Sequence, residues 1–394
     1  MTLEEIVRER MAGLPVEDHD AAEGLPLAVV GFGAEEVIAA VEVLLSTRVT
    51  MGEQTRAFEA AWAARCGRKH GVMCNSGSSA NLLMLAGLVE TGALSPGDEV
   101  LLPAVAWSTS LFPIAQCGLV PVLADMHPTE LRMGPAPITE RTKAVLAVHL
   151  LGHPAPVDYP GLLVLEDACG AHGGAIGDRP MGGIGHAASF SFFFSHHITT
   201  IEGGMVVTDD DALADAMRSL RAHGWIRERS DRDALAAASP EIDPRFLFVS
   251  AGYNLRPTDL AGAFGLVQDL RLDAWAARRR ANHAEWCRRL GGSVQVFPEP
   301  PGSRLAGFAF AMVADDREGL ARVLREHRID TRPISGSNLA RQPAFARVPG
   351  ARTAGPLPNA DRLHEHGLFV GNSHAFGPAH ADLLERAVRA WRDS

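Results

Sequence analysis

Lysine is nearly missing from this 394-residue chain: Lys69 and Lys143 are the only two. Any chemistry that needs a side-chain amine has just those positions to draw on. Cysteine is sparse too. The five residues, at 66, 74, 117, 169 and 287, are scattered and form no CxxC pair. Neither a disulfide framework nor a metal site is expected from that spacing, and buried thiols in a cytoplasmic protein account for it. Positive charge is in deficit, with 37 Lys+Arg against 47 Asp+Glu. The net charge of −10 argues against nucleic acid or an anionic membrane as the main partner. No apolar run approaches the ~20 residues needed to span a bilayer. The N-terminus, MTLEEIVRERMAGL, carries acidic residues early and has no long apolar core, so it does not read as a signal peptide.

What is present is an ordinary globular composition, 46% hydrophobic, enough for a large core. Residues 1–20 read as an arm with a short charged helix. From about 55 onward, helical and strand patterns alternate: a helix over 55–66, a strand over 70–74, a helix over 78–90, and a strand over 99–102. A helix over 109–116 and strands over 119–123, 144–148 and 162–165 follow. Such alternation implies an α/β domain with a parallel sheet covered on both faces. Residues 188–194 and 204–207 read as a later hairpin-like pair, 211–221 as a helix, and 258–290 as one long bridging helix. A strand near 306–313, a helix over 316–327 and a loop-rich stretch from 331 to 377 complete the pattern. The expected organisation is a large α/β domain over 1–265 and a smaller C-terminal α+β domain over 266–394.

Chemistry-bearing residues cluster where strands end. Asn75-Ser76-Gly77-Ser78-Ser79-Ala80 lies between a strand and a helix. Small residues there, with free N–H groups and the positive end of the helix dipole, suit a phosphate; a plain serine cap is the commoner use of such a turn. Trp107 follows another strand and could stack on a planar ring, or simply fill the core. The strand ending in Leu165-Glu166-Asp167 places an aspartate where it could pair with a protonated pyridine nitrogen, or cap a helix. Ser191-Phe-Phe-Phe-Ser195-His196-His197 and Glu202-Gly203-Gly204 complete the set.

In order and wording, NSGSSAN, PAVAWST, VLEDACGAHG, SFFFSHH with EGG, and GYNLRPTD resemble the DegT/DnrJ/EryC/StrS family of sugar aminotransferases and dehydratases, over about 45–375. The resemblance implies a fold type I architecture, pyridoxal 5'-phosphate or pyridoxamine 5'-phosphate as cofactor, and a homodimer with shared active sites. Carried over, Gly77, Ser78 and Ser191 are phosphate contacts, Trp107 the ring-stacking aromatic, and Asp167 the partner of the pyridine nitrogen. Asn254 would reach the phosphate from the neighbouring subunit. The aminotransferases of this family read SFxxxK, where the lysine forms a Schiff base with the cofactor; here the sixth residue is His196.

Imidazole cannot form that bond but can move protons. The departure therefore implies a cofactor held non-covalently and His196 acting on the proton at its C4′ carbon. The implied reaction is loss of the C3 hydroxyl from a 4-keto-6-deoxy sugar nucleotide, releasing a 3-deoxy ketone and ammonia. Histidine-bearing members of the family are 3-dehydratases of two kinds. One carries a [2Fe–2S] cluster served by a reductase, for which this chain has no cysteine between 169 and 287. The other regenerates the amine from glutamate, and Arg256 is then the candidate for the glutamate carboxylate, with His223 either assisting or structural. His197 reads as structural. Gly170 replaces a polar residue that many relatives place near the cofactor's phenolic oxygen. Arg332 and Arg341 could meet a diphosphate or stay solvated. An amine-transferring variant on another ketone and an inactive binding subunit are the competing readings.

Overall fold

The computed structural model describes residues 1–394. Its main sheet has eight strands. From one edge they run His70–Cys74, Gly204–Thr208, Ala187–Ser191, Leu163–Asp167, Thr142–Val148, Glu99–Pro103, Val120–Ala124 and Arg352–Thr353. Only Gly204–Thr208 opposes the rest, pairing antiparallel with both its neighbours. A parallel sheet needs helical crossovers, which cover both its faces, and its strands are accordingly apolar and buried along most of their length. The expected α/β architecture and the 188–194 and 204–207 pairing are both present.

A second sheet, antiparallel throughout, runs Gln295–Val296, Ala309–Val313, Gly367–Gly371, Thr331–Pro333. Its core gathers Trp286, Phe310, Leu324, Phe376 and Leu384. Leu25 joins that core through a bridge to Ile329, while Arg352–Thr353 joins the edge of the main sheet. The chain thus crosses the 265/266 division in both directions. The largest hydrophobic cluster also spans it, from Val100 and Leu146 to Ile334 and Leu363.

Three features differ from the sequence reading. The single helix expected over 258–290 is two, Asp259–Asp269 and Leu272–Leu290. Arg65 bridges the break: its Nη2 donates to the Asp269 carbonyl, and its Nε and Nη1 hold the Asp269 and Asp273 carboxylates at 2.6 and 2.7 Å. The stretch over 331–377 is less loop-rich than its prolines and glycines suggest, holding a helix at Pro358–His366 and the central Gly367–Gly371 strand. That helix starts on proline at its first position and buries only Ala360 and Leu363, too little apolar periodicity to register. Helices at Ala34–Ser46 and Pro378–Arg392 add to the elements read from the sequence. No helix is long and apolar enough to cross a membrane.

Candidate active site

Three strands deliver their carboxyl ends to one place, as ligand crevices in parallel sheets require. Gly204 sits between two of them, in register with Cys74 on one side and Ser191 on the other. A Cβ on Gly204 would lie 2.1 Å from the Ser76 carbonyl, and one on Gly77 would lie 2.4 Å from Ser191 Cβ. Two missing side chains therefore let the turn after the first strand fold over onto Ser191. Ser76 caps the Gly77–Glu90 helix by accepting from the Ser79 N–H, so the Gly77 and Ser78 N–H groups open onto this cradle without a cap. Ser78 Oγ donates to Thr109 Oγ1 at 3.0 Å, joining two helix starts. Trp107, which precedes the Ser108–Gln116 helix, is 60% exposed, a wide-open indole face at the mouth.

Asp167 lies on the floor, 5% exposed. Its Oδ2 accepts from Asn81 Nδ2 at 2.9 Å and Ser110 Oγ at 2.7 Å, and its Oδ1 from the Cys169 N–H at 3.2 Å. Asn81 is held in turn by Ser189, whose hydroxyl donates to Asn81 Oδ1 at 2.6 Å. A buried carboxyl group held by neutral donors, with no salt-bridge partner, suits a protonated ring nitrogen. Glu166, its neighbour, faces elsewhere: it takes His149 Nε2 at 3.0 Å and the N–H groups of Gly182, Ile184 and Gly185. Burial acts to raise its carboxyl, but these donors outweigh it and the group stays below its ordinary value. Glu166 is a structural anchor.

His196 follows Ser191 in a turn where its N–H donates to the Phe193 carbonyl. Its ring packs against Phe308, centroids 4.9 Å apart, and lies 5.9 Å from His172. Nδ1 is enclosed without a partner, while Nε2 makes no hydrogen bond and is not enclosed. Burial, then the Arg279 guanidinium, push the imidazole down to about 4, with Asp167 pulling the other way. The ring is therefore a neutral base at physiological pH. His197 Nε2 donates to the Ala306 carbonyl at 2.6 Å and is structural.

Neither lysine comes near. Lys69 Nζ pairs with Asp211 at 2.6 Å on the surface, and Lys143 is exposed on its strand. Asn254 and Arg256 belong to a different part of the same chain. Arg256 Nε donates to Asn254 Oδ1 at 3.0 Å, and both line a cleft of about 910 Å³ with Arg56, Arg227 and Thr258. His223 adjoins that segment, its N–H on the Tyr253 carbonyl and its φ of 67° left-handed. Gly77, Asp167 and His196 do not line this cleft. Arg341 is committed to Asp361 and Glu365, and Arg332 to its neighbour's carbonyl. No cluster of three His, Cys, Asp or Glu side chains is arranged to hold a metal. Asn81, Thr109, Ser110 and Gly204 were not singled out by the sequence reading. Asn81, Thr109 and Gly204 lie in quoted motifs, but their roles depend on which elements are neighbours.

Residues 32–389 match the model of the DegT/DnrJ/EryC1/StrS aminotransferase family. The chain belongs to this family. Among DegT/DnrJ/EryC1/StrS proteins it is 35% identical to the GDP-4-keto-6-deoxy-D-mannose 3-dehydratase of Yersinia pseudotuberculosis, over 88% of this chain and 93% of that one. It is 34% identical to the dTDP-4-dehydro-2,6-dideoxy-D-glucose 3-dehydratase of Saccharopolyspora spinosa, over 86% and 80%. The solved GDP-4-keto-6-deoxy-D-mannose-3-dehydratase of E. coli with bound hydrated PLP superposes with a TM-score of 0.87 at 31% identity, covering 93% of this chain and 99% of that one. A GDP-4-keto-6-deoxymannose-3-dehydratase with a trapped PLP-glutamate geminal diamine gives 0.84 at 30%, covering 93% and 100%. The expected family, fold type I architecture and cofactor class are thereby borne out.

Proposed function

We propose that this protein is a PLP/PMP-dependent, glutamate-coupled 3-dehydratase that removes the C3 hydroxyl of a 4-keto-6-deoxy sugar nucleotide. One observation carries the reading: the lysine position of the family is His196, and Lys69 and Lys143 are both committed to the surface. When bound, the cofactor supplies an amine for the substrate's ketone carbon and a protonated ring that accepts an electron pair. The residues present fit that group. Gly77, Ser78 and Ser191 would cradle its phosphate, Trp107 would offer a face to its ring, and Asp167 would pair with its protonated ring nitrogen. His196, neutral and with Nε2 free, takes up the proton that must leave carbon before the hydroxyl can go. It cannot displace a product amine as a lysine would, which supports loss of ammonia over release of an amino sugar.

Glutamate is the amino donor in this reading, its carboxylate met by Arg256 with His223 beside it. That role calls for a homodimer with shared sites, a reading supported by Asn254 and Arg256 lining a cleft to which their own chain's Asp167 and His196 do not contribute. The names of the relatives, two of them 3-dehydratases of nucleotide-linked sugars, support the substrate class.

The test is product analysis with pyridoxal phosphate, glutamate and GDP-4-keto-6-deoxy-mannose. The expected products are 2-oxoglutarate, ammonia and a 3-deoxy ketone. An amino sugar without ammonia would overturn the dehydratase reading in favour of amine transfer.

A further inference from the structure

Arg279 is the most unusual charge in the molecule. It sits on the Leu272–Leu290 helix, 4% exposed, and forms no salt bridge, although almost every other buried or half-buried arginine of the fold has a carboxylate. Its Nη1 donates to the Phe308 carbonyl at 3.3 Å and to the Asn372 carbonyl, and its Nε has no partner. The Asn372 amide closes the arrangement, donating to the carbonyls of Arg279 and Gly307 at 2.9 Å each. Burying a guanidinium without a counter-charge is costly, and packing alone would be served as well by a neutral side chain.

What surrounds the charge is a set of buried imidazoles. His172, His196, His197 and His374 are all held below their ordinary range, by burial first and with Arg279 contributing to each. Phe308 forms the physical link: Arg279 holds its carbonyl, and its ring packs on His196 at 4.9 Å. The groups that face His196 are Asp167 from the sheet, His172 from the turn beyond it, His197 from its own segment and Arg279 from the helix. Asp167 is the only anion among them.

We propose that Arg279 is a positioning residue for His196, a buried cation left without a carboxylate so that it keeps the imidazole a free base and clamps Phe308 against its face. The inference rests on the reading of His196 as the proton acceptor. A base held between an aspartate and a cation must not pick up a solvent proton before it meets the substrate. Asp167 would favour the protonated ring, and Arg279 opposes it.

The experiment is a pH titration of the His196 ring by NMR, its signal identified by its absence in H196Q, alongside the pH profile of kcat in the cofactor-loaded dimer. R279M and R279Q remove the charge; R279K keeps it. The neutral variants are expected to raise the His196 titration and the acid limb of kcat together by about one pH unit, while R279K leaves both in place. Identical His196 titrations in wild type and R279M would overturn the proposal, as would an R279K shift as large as that of R279M. If neither neutral variant folds, F308L removes the ring packed on His196 while keeping the carbonyl that Arg279 holds, and is expected to lower kcat at unchanged cofactor affinity; an unchanged kcat also overturns the proposal. Because the titration needs no substrate, an amino-sugar product would end the dehydratase reading while leaving the Arg279–His196 coupling separately measurable.

Discussion

At the residue scale, the difference between lysine and His196 is one of bonding, not of charge. An amine can hold an aldehyde and release a product by exchange, whereas imidazole only shuttles protons. Replacing His196 with glutamine is expected to lower kcat about 100- to 10,000-fold, the usual worth of a positioned proton carrier, with cofactor binding measured by absorbance unchanged. A uniform loss of both would assign His196 to binding instead. Asn81 tests the floor of the site. It donates to Asp167 and accepts from Ser189 inside the core, so Asn81→Leu takes one donor from Asp167, which keeps Ser110, and the shorter acceptor from the buried Ser189 hydroxyl. A cost of about 1–3 kcal/mol is expected, read as a lowered denaturation midpoint, together with weakened cofactor binding.

At the scale of elements, the cradle depends on the approach of a helix start to a strand two places away. Gly77→Ala puts a methyl 2.4 Å from Ser191 Cβ, and overpacking of that kind costs about 1–3 kcal/mol. Removing the obstacle from the other side should relieve it. The double variant Gly77→Ala/Ser191→Gly is expected to regain stability that Gly77→Ala loses, while recovering less of the cofactor affinity because Ser191 is gone. Additive losses in stability would mean that the two positions do not meet.

For the whole molecule, the buried imidazoles set how it answers to acid. His196 and His283 are pushed down to about 4 by burial, and His374 to about 3. His172, His197 and His153 move in the same direction. Each is neutral in the fold and ordinary in the unfolded chain, so below about 6.5 the unfolded state binds more protons. Stability is therefore full above that value and is expected to fall as pH drops from 6.5 toward 4, before most carboxylates titrate. Melting at pH 7.5, 5.5 and 4.5 checks this; a flat midpoint across that range would contradict it. Subunit sharing has its own test. Mixing His196→Gln protein with Arg256→Ala protein under conditions that exchange subunits should restore activity that neither parent has, since one site of each hybrid is intact. No recovery in verified hybrids would place Arg256 in its own chain's site.

The strand ends, the serine turn and the histidine at the lysine position were legible in the sequence because each is a local matter. Alternating apolar runs fix strands, small residues before a helix fix a turn, and a motif's sixth residue needs no neighbour to be read. By itself the sequence thus determined the fold class and that the base proposed at 196 is an imidazole and not an amine, through what the chain has there and what it lacks elsewhere. What only the tertiary structure decided depends on neighbours distant along the chain. The order of the strands makes Gly204 the spacer between Cys74 and Ser191 and brings Asn81, Ser110 and Ser189 around Asp167. Arg65 straddles the break in a helix that periodicity alone would continue. Arg279 gains its meaning only from the absence of any carboxylate around it, because a charge is tuned by what folding brings near it in space.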